Sequence, residues 1–225
     1  MAPQSSASQS DLEVYQGQFG DFVITDEDRR EVVIYRAGLL VAALCFALGT
    51  GLALGVGTQS VVLSTLTILY GLGCAALGIS LVTIHIYMAP LHRALQLFWA
   101  IGCVGAIAVA ATSNLPLLQT IYERPTVLWA TGFTFAALTG IFIKEAFCFG
   151  RLETAILAPL VPILLMGHLA GILPDTVKPG LLALWAVLFL VFALRKCLQA
   201  IPPDIGDKSV FAYLKQQQKF RASAN

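Results

Sequence analysis

Charged residues are scarce in this chain of 225 residues. Only 12% are Asp, Glu, Lys or Arg, whereas these types make up about a quarter of a soluble domain. Residues 37–92 contain none of the four. Since a helix needs about 20 apolar residues to cross a bilayer, this stretch has room for two crossings. The composition excludes an ordinary soluble domain, and a net charge of +1 gives no reason to expect nucleic-acid binding.

Motifs for catalysis and metal binding are also missing. The sequence has no GxSxG serine elbow, no HExxH zinc motif and no phosphate-binding loop. Its five cysteines are scattered, and no two form a CxxC pair, so we interpret them as small packing residues. We expect no enzymatic activity, no bound cofactor and no metal site.

Long apolar segments are abundant, and they predict an all-α, polytopic membrane bundle of about six helices. The predicted spans lie near residues 37–57, 61–88, 94–111, 127–143, 155–173 and 177–194, within a membrane domain of residues 37–198. The flanking regions are predicted as a disordered acidic tail (1–24), a juxtamembrane helix (25–36) and a basic tail with a short helix (199–225).

The basic residues predict the orientation of these spans. Six crossings place both termini on one side, together with the second and fourth loops. Twelve of the fourteen Lys and Arg residues then fall on that side, and only Arg124 and Lys178 fall on the other. Because positive residues are retained on the cytoplasmic side, both termini are predicted to lie in the cytoplasm or an equivalent compartment.

Small residues recur at four-residue spacing within the apolar segments. Gly51 and Gly55 form one GxxxG pair, and Gly167 and Gly171 form another. The same spacing of small residues occurs at Gly71/Ala75, Cys74/Gly78 and Gly102/Ala106. Such pairs let helices approach closely, so we expect them to pack helices within the chain or to form a homo-oligomer.

His168 is the most unusual polar residue in the predicted fifth span. An ionisable group placed deep in a membrane is a site hypothesis by default, and Pro159 and Pro162 of the same helix each remove a backbone donor. A bent helix with a histidine predicts a polar path for a small solute, an ion or a proton. The alternative is a neutral histidine that is hydrogen-bonded to a neighbouring helix.

The segment 144–153 is the densest charged patch beside the predicted spans. Lys144 and Glu145 end the fourth span, and Arg151 and Glu153 precede the fifth. His92, Arg93, Arg195 and Lys196 fall on the same predicted face. This patch suggests a docking surface or the mouth of an ion path, and the alternative is interfacial anchoring with local ion pairs that contribute little individually.

Several strings in this sequence are similar to a known family. They cover residues 14–20, 25–30, 90–96, 144–153, 159–168 and 201–208. Together they resemble an uncharacterised integral membrane protein family of cyanobacteria and plastids, a domain-of-unknown-function family, over residues 13–215. The resemblance implies a photosynthetic host and a thylakoid or plasma membrane, and it implies no activity or functional residue.

Two functions remain open from the sequence. The first is a non-enzymatic binding or assembly factor, embedded in the lipid bilayer, whose partners are other membrane proteins at the basic face. The second is a small transporter or channel with His168 on the path.

Overall fold

The computed structural model describes residues 13–57 and 59–223. The elements follow in the order β1 (Val14–Gly17), β2 (Gly20–Val23), α1 (Asp26–Gly55), α2 (Ser60–Thr83), α3 (Ala89–Thr112), α4 (Leu117–Glu123), a 3-10 turn (Pro125–Val127), α5 (Leu128–Phe149), α6 (Leu152–Leu169), α7 (Lys178–Leu198), α8 (Pro202–Ile205) and α9 (Lys208–Ser223). Within these residues, six helices are long and apolar enough to cross a bilayer, namely α1, α2, α3, α5 with its preceding turn, α6 and α7. The prediction of an all-α membrane bundle with about six spans is confirmed.

The described residues form two compact units. The helical unit holds residues 34–57, 59–84 and 88–199, and the terminal unit holds residues 13–33, 85–87 and 200–223. The terminal unit therefore combines the first part of the chain with the last.

Glycines and aromatic residues hold the helical unit together. A Cβ atom added at Gly105 of α3 would lie 2.6 Å from the carbonyl oxygen of Ala130 in α5, so these two helices are in backbone contact. Trp99 of α3 packs on Gly78 of α2, and its indole nitrogen donates to the Cys74 carbonyl at 2.8 Å. The largest buried side chains include four aromatic residues of α5 and α7, which form the centre of this unit: Phe142, Trp185, Phe189 and Phe192.

Helix α6 ends earlier than the sequence suggests. The predicted span covered residues 155–173, whereas α6 runs from Leu152 to Leu169. Gly171 adopts a φ of +68°, which favours glycine. The amide of Ile172 donates to the Gly167 carbonyl at 3.0 Å, and the amide of Gly171 donates to the His168 carbonyl at 3.1 Å. These are the two bonds of a Schellman motif, which stops the helix.

The N-terminal part of the terminal unit is ordered. The sequence predicted a disordered tail over residues 1–24, but β1 and β2 form an antiparallel hairpin in which Val14 pairs with Val23. Residues 1–12 of that predicted tail lie outside the described residues. Helix α1 then begins with a capping box, because the Thr25 amide donates to the Asp28 carboxylate at 2.7 Å and the Asp28 amide donates to the Thr25 hydroxyl at 3.2 Å.

Contacts with the C-terminal segment fix this hairpin. The Gln18 amide donates to the Asp207 carboxylate at 2.7 Å, and the Phe19 amide donates to the Ser209 hydroxyl at 3.0 Å. The rings of Phe19 and Tyr213 stack with 4.0 Å between their centroids. These bonds explain why the hairpin is ordered, and none of them is visible in the local sequence of residues 14–23.

We expect Asp207→Ala to release the hairpin from α9. The Ser209 hydroxyl and the Gln18 amide donate to this carboxylate and hold the pKa of Asp207 below its ordinary value. Because the folded pKa is the lower one, the attachment is complete above the ordinary pKa of about 3.9 and is lost as the pH falls through the folded pKa. Hydrogen exchange of the amides in residues 14–23 should therefore accelerate in the variant at neutral pH, and in the unmodified chain only in acid.

Asp21→Asn is the matched control for this change, because Asp21 is an exposed carboxylate of the same hairpin. Its exchange should match that of the unmodified chain. Equal protection of the hairpin in Asp207→Ala and in the control would contradict the prediction.

Candidate functional site: a buried charge cluster

The helical unit contains two completely buried, oppositely charged side chains. Glu145 lies in the last turns of α5, and Lys196 lies in the last turn of α7. Neither side chain is exposed, and the Lys196 Nζ atom lies 2.6 Å from an Oε atom of Glu145. Burial of a charge costs several kcal/mol unless the charge is paired and hydrogen-bonded, so this ion pair depends on the groups around it.

Both oxygens of Glu145 have partners. One accepts from Lys196. The other accepts from the Lys144 Nζ atom at 2.8 Å and from the Tyr35 hydroxyl at 3.0 Å. Tyr35 is itself held in α1 at a contact with α2, where the Ser80 hydroxyl donates to the Tyr35 carbonyl at 3.0 Å. A single carboxylate therefore joins α1, α5 and α7.

Aromatic rings surround the two lysines. The Nζ atom of Lys196 lies 4.0 Å from the centroid of the Phe149 ring, and the Nζ atom of Lys144 lies 5.3 Å from the same centroid. Both Nζ atoms lie 5.8 Å from the centroid of the Tyr35 ring. Distances below about 6 Å are typical of cation–π attraction, which partly replaces the lost hydration of the two ammonium groups.

Gln199 connects the end of α7 to two arginines. Its backbone carbonyl accepts from Arg36 of α1 at 2.6 Å, and its side-chain carbonyl accepts from Arg151, which precedes α6. The last carbonyls of a helix have no partner within the helix and attract cations. The Arg36 bond satisfies a backbone carbonyl at the C-terminus of α7, and the Arg151 bond fixes the Gln199 side chain beside it.

The second carboxylate of the cluster is Glu153, in the first turn of α6. One Oε atom accepts from Arg195 of α7 at 2.8 Å, and the other lies 3.5 Å from Arg151. The Glu153 side chain is nearly buried, whereas 59% of the Arg195 side chain is exposed. Arg195 therefore extends from the buried cluster to its outer surface.

The structure unites four of the charged residues that the sequence singled out: Lys144, Glu145, Arg151 and Glu153. The sequence placed Arg195 and Lys196 on the face of this patch without selecting them as site residues, and it did not point to Tyr35, Arg36 or Gln199. Their signal in the sequence was weak, because basic residues that flank a span usually anchor it at the interface. The unusual density of charge in 144–153 was the one usable clue.

His92 and Arg93 lie apart from this cluster. The Nε2 atom of His92 lies 2.5 Å from the Leu81 carbonyl oxygen, and the side-chain amide of Gln96 donates to the same oxygen at 3.1 Å. Leu81 belongs to the last turn of α2, whose carbonyls lack partners within the helix. His92 and Gln96 therefore cap α2, and Arg93 is exposed.

His168 lies in the last turn of α6 rather than near its middle. Its ring stacks on Tyr122 with 5.6 Å between centroids, and both ring nitrogens are buried without a hydrogen-bond partner among the described residues. Pro159 and Pro162 are exposed, on the side of α6 opposite its buried residues. The three residues predicted to line one path therefore do not face a common interior.

The glycine pairs divide into two groups. No atom of another element lies within 4 Å of a Cβ atom added at Gly51, Gly55 or Gly171, and at Gly167 the neighbour is Leu173 in the following turn. These positions do not pack helices together within the described chain, whereas a Cβ atom added at Gly38, Gly78, Gly102, Gly105 or Gly140 would lie less than 3.0 Å from an atom of another helix. The homo-oligomer contact considered for the glycine pairs stays a prediction.

Among the described residues, no three His, Cys, Asp or Glu side chains come together as a metal site would require. A family model described as "Uncharacterized integral membrane protein (DUF2301)" matches residues 79–213, which is more than half of the chain. The chain belongs to this family. The match includes Glu145, Glu153 and Lys196, and it excludes Tyr35 and Arg36. The predicted resemblance to an uncharacterised integral membrane family is thus confirmed, whereas its distribution in cyanobacteria and plastids stays a prediction.

No curated protein and no solved structure matched this chain.

Proposed function

We propose that this integral membrane protein is a non-enzymatic binding or assembly factor for other membrane components. The observation that carries the proposal is the terminal unit, a folded module built from both ends of the chain. Chain termini are usually poorly ordered unless they are tied down. Here the hairpin is fixed to α9 and to Asp207, the residue before it, by two hydrogen bonds and a ring stack, which supports a role that requires a defined surface.

The proposed partner is a membrane protein with an acidic surface outside the bilayer. Helix α9 contains four basic residues and no acidic residue. Lys208 is paired with Asp28 at 2.6 Å, but Lys215 and Lys219 are exposed. Tyr213 and Leu214 are exposed beside them, and aromatic residues are enriched in protein interfaces.

Affinity purification of the full chain in mild detergent tests this proposal. We expect a stoichiometric membrane protein to co-purify at low salt and to be lost when Lys215 and Lys219 are both changed to Glu, because charge reversal opposes an acidic surface. The control is Arg124→Glu, which reverses an exposed arginine of the connection between α4 and α5. A monomer in every mild detergent, or equal recovery in the double variant, would contradict the proposal.

We also propose that both termini face the cytoplasm or stroma, in the thylakoid or plasma membrane of a photosynthetic cell. The supporting observation is the distribution of basic residues, twelve on one side and two on the other. When a cysteine-free variant is expressed in the plasma membrane, Lys219→Cys should be protected from an impermeant thiol reagent applied to intact cells, and Asp175→Cys should react. The reverse labelling pattern would contradict the proposed orientation of the termini.

A second candidate function is the transport of a small solute, an ion or a proton. It is supported by the two buried ring nitrogens of His168, which lack a partner among the described residues. If His168 lies on a path, vesicles reconstituted with the protein should show a flux that His168→Ala abolishes. An unchanged flux in that variant would remove His168 from the mechanism. The absence of flux in both proteins would contradict the transport function and favour the binding or assembly function.

A further inference from the structure

The triad of Arg151, Glu153 and Arg195 holds two positive charges and one negative charge. One nearly buried carboxylate is shared between two guanidinium groups, at 2.8 Å from Arg195 and 3.5 Å from Arg151. No other carboxylate of the described residues pairs with either arginine. The three side chains therefore carry one positive charge that no other described carboxylate neutralises. A guanidinium has five N–H donors, and Glu153 is the one described side-chain partner of Arg195.

The position of this triad is at a bilayer interface. Arg195 lies in the last turn of α7 and Glu153 in the first turn of α6, and both helices are of the length that crosses a bilayer. The exposed part of Arg195 is thus at the level where lipid phosphates are found, and an arginine binds a phosphate bidentately.

An apolar stripe extends from the triad along α7. Val187, Val191, Leu194 and Leu198 are all exposed large hydrophobic residues, and their spacing of four, three and four places them on one side of the helix. Arg195 is adjacent to the end of this stripe that holds Leu194 and Leu198. The combination of a cationic head and an aliphatic stripe is complementary to an anionic phospholipid, whose phosphate is followed by acyl chains.

We propose that the Arg151–Glu153–Arg195 triad binds the phosphate of an anionic phospholipid whose acyl chain lies along this stripe of α7. The unneutralised charge of the triad selects a lipid with a net negative charge over a zwitterionic lipid, in which the headgroup cation offsets the phosphate. The proposal stands on the helical unit alone and does not depend on the proposed partner of α9.

Thermal unfolding of the detergent-solubilised full chain tests the proposal, with phosphatidylglycerol or phosphatidylcholine added at equal concentration. We expect phosphatidylglycerol to raise the Tm by about 3 °C more than phosphatidylcholine, since a ligand that binds the folded state stabilises it. Arg195→Gln should abolish this difference. Arg93→Gln, which removes another exposed arginine, should retain it.

Two outcomes would overturn the proposal. One is an equal lipid difference in Arg195→Gln and in the unmodified chain. The other is an equal Tm rise with inorganic phosphate in place of lipid, which would show a site for a free anion. If Arg195→Gln does not fold, native mass spectrometry of Arg195→Lys replaces it. Lysine keeps the charge but cannot bind phosphate bidentately, so the lipid-bound fraction must fall, and an unchanged fraction would overturn the proposal.

Discussion

Glu145→Ala is expected to lower the free energy of unfolding by about 3–5 kcal/mol, because it removes one partner of the completely buried Glu145–Lys196 ion pair. Lys144 and the Tyr35 hydroxyl lose the same acceptor. The contacts of Glu145 to α1 and α7 disappear together, so the variant should unfold at a lower denaturant concentration. Equilibrium unfolding of the detergent-solubilised chain in sodium dodecyl sulfate measures the change.

A matched control and a double variant complete this experiment. Glu123→Ala removes an exposed carboxylate whose described partner is Gln119, and it should change stability by less than about 0.5 kcal/mol. Glu145→Met combined with Lys196→Met replaces both charges by apolar side chains and should recover most of the loss. Failure of the double variant to recover would show that the remaining cluster requires a charge at one of these positions. A loss in Glu145→Ala no larger than in the control would contradict the assigned burial cost.

Gly102→Ala is expected to separate α3 from α5 and to destabilise the chain by about 1–3 kcal/mol. A Cβ atom at this position would collide with the backbone amide nitrogen, the Cα atom and the hydroxyl of Thr134. Backbone atoms cannot rotate away as a side chain can, so the two helices must move apart. Thermal unfolding in detergent should report the lower stability.

Gly71→Ala is the control for this packing prediction. It makes the same substitution within a membrane-spanning helix, where no atom of another element lies within 4 Å of the added methyl group. Because Ala favours a helix over Gly by up to about 1 kcal/mol, this variant should be as stable as the unmodified chain or more stable. Equal stability of Gly71→Ala and Gly102→Ala would mean that α3 can move without cost.

Chain composition predicts the spans well for a simple physical reason. Within a bilayer the backbone must satisfy its own hydrogen bonds, so an apolar segment of sufficient length becomes a helix whatever its neighbours are. The ends of the spans are harder to predict, because they depend on single residues. The left-handed conformation of Gly171 ends α6 before Leu173. The apolar sequence is continuous across this position, so it does not predict where the helix ends.

The contacts between helices could not be predicted in the same way. Pairs of small residues at four-residue spacing look alike in sequence, yet Gly102 touches another helix and Gly51 does not. The rotation of each helix about its axis decides this difference, and that rotation depends on all of its neighbours. For the same reason Lys196 reads as an interfacial anchor in the sequence but is completely buried against Glu145 in the structure.

The bonds between the hairpin and α9 have a consequence for biosynthesis. Gln18 and its acceptor Asp207 are 189 positions apart, so the hairpin emerges from the ribosome long before its partner has been translated. All six spans must be inserted in the membrane before the two ends can meet. The terminal unit can therefore form only after all six spans have been translated, and a chain truncated before residue 207 would lack the acceptor of the Gln18 amide.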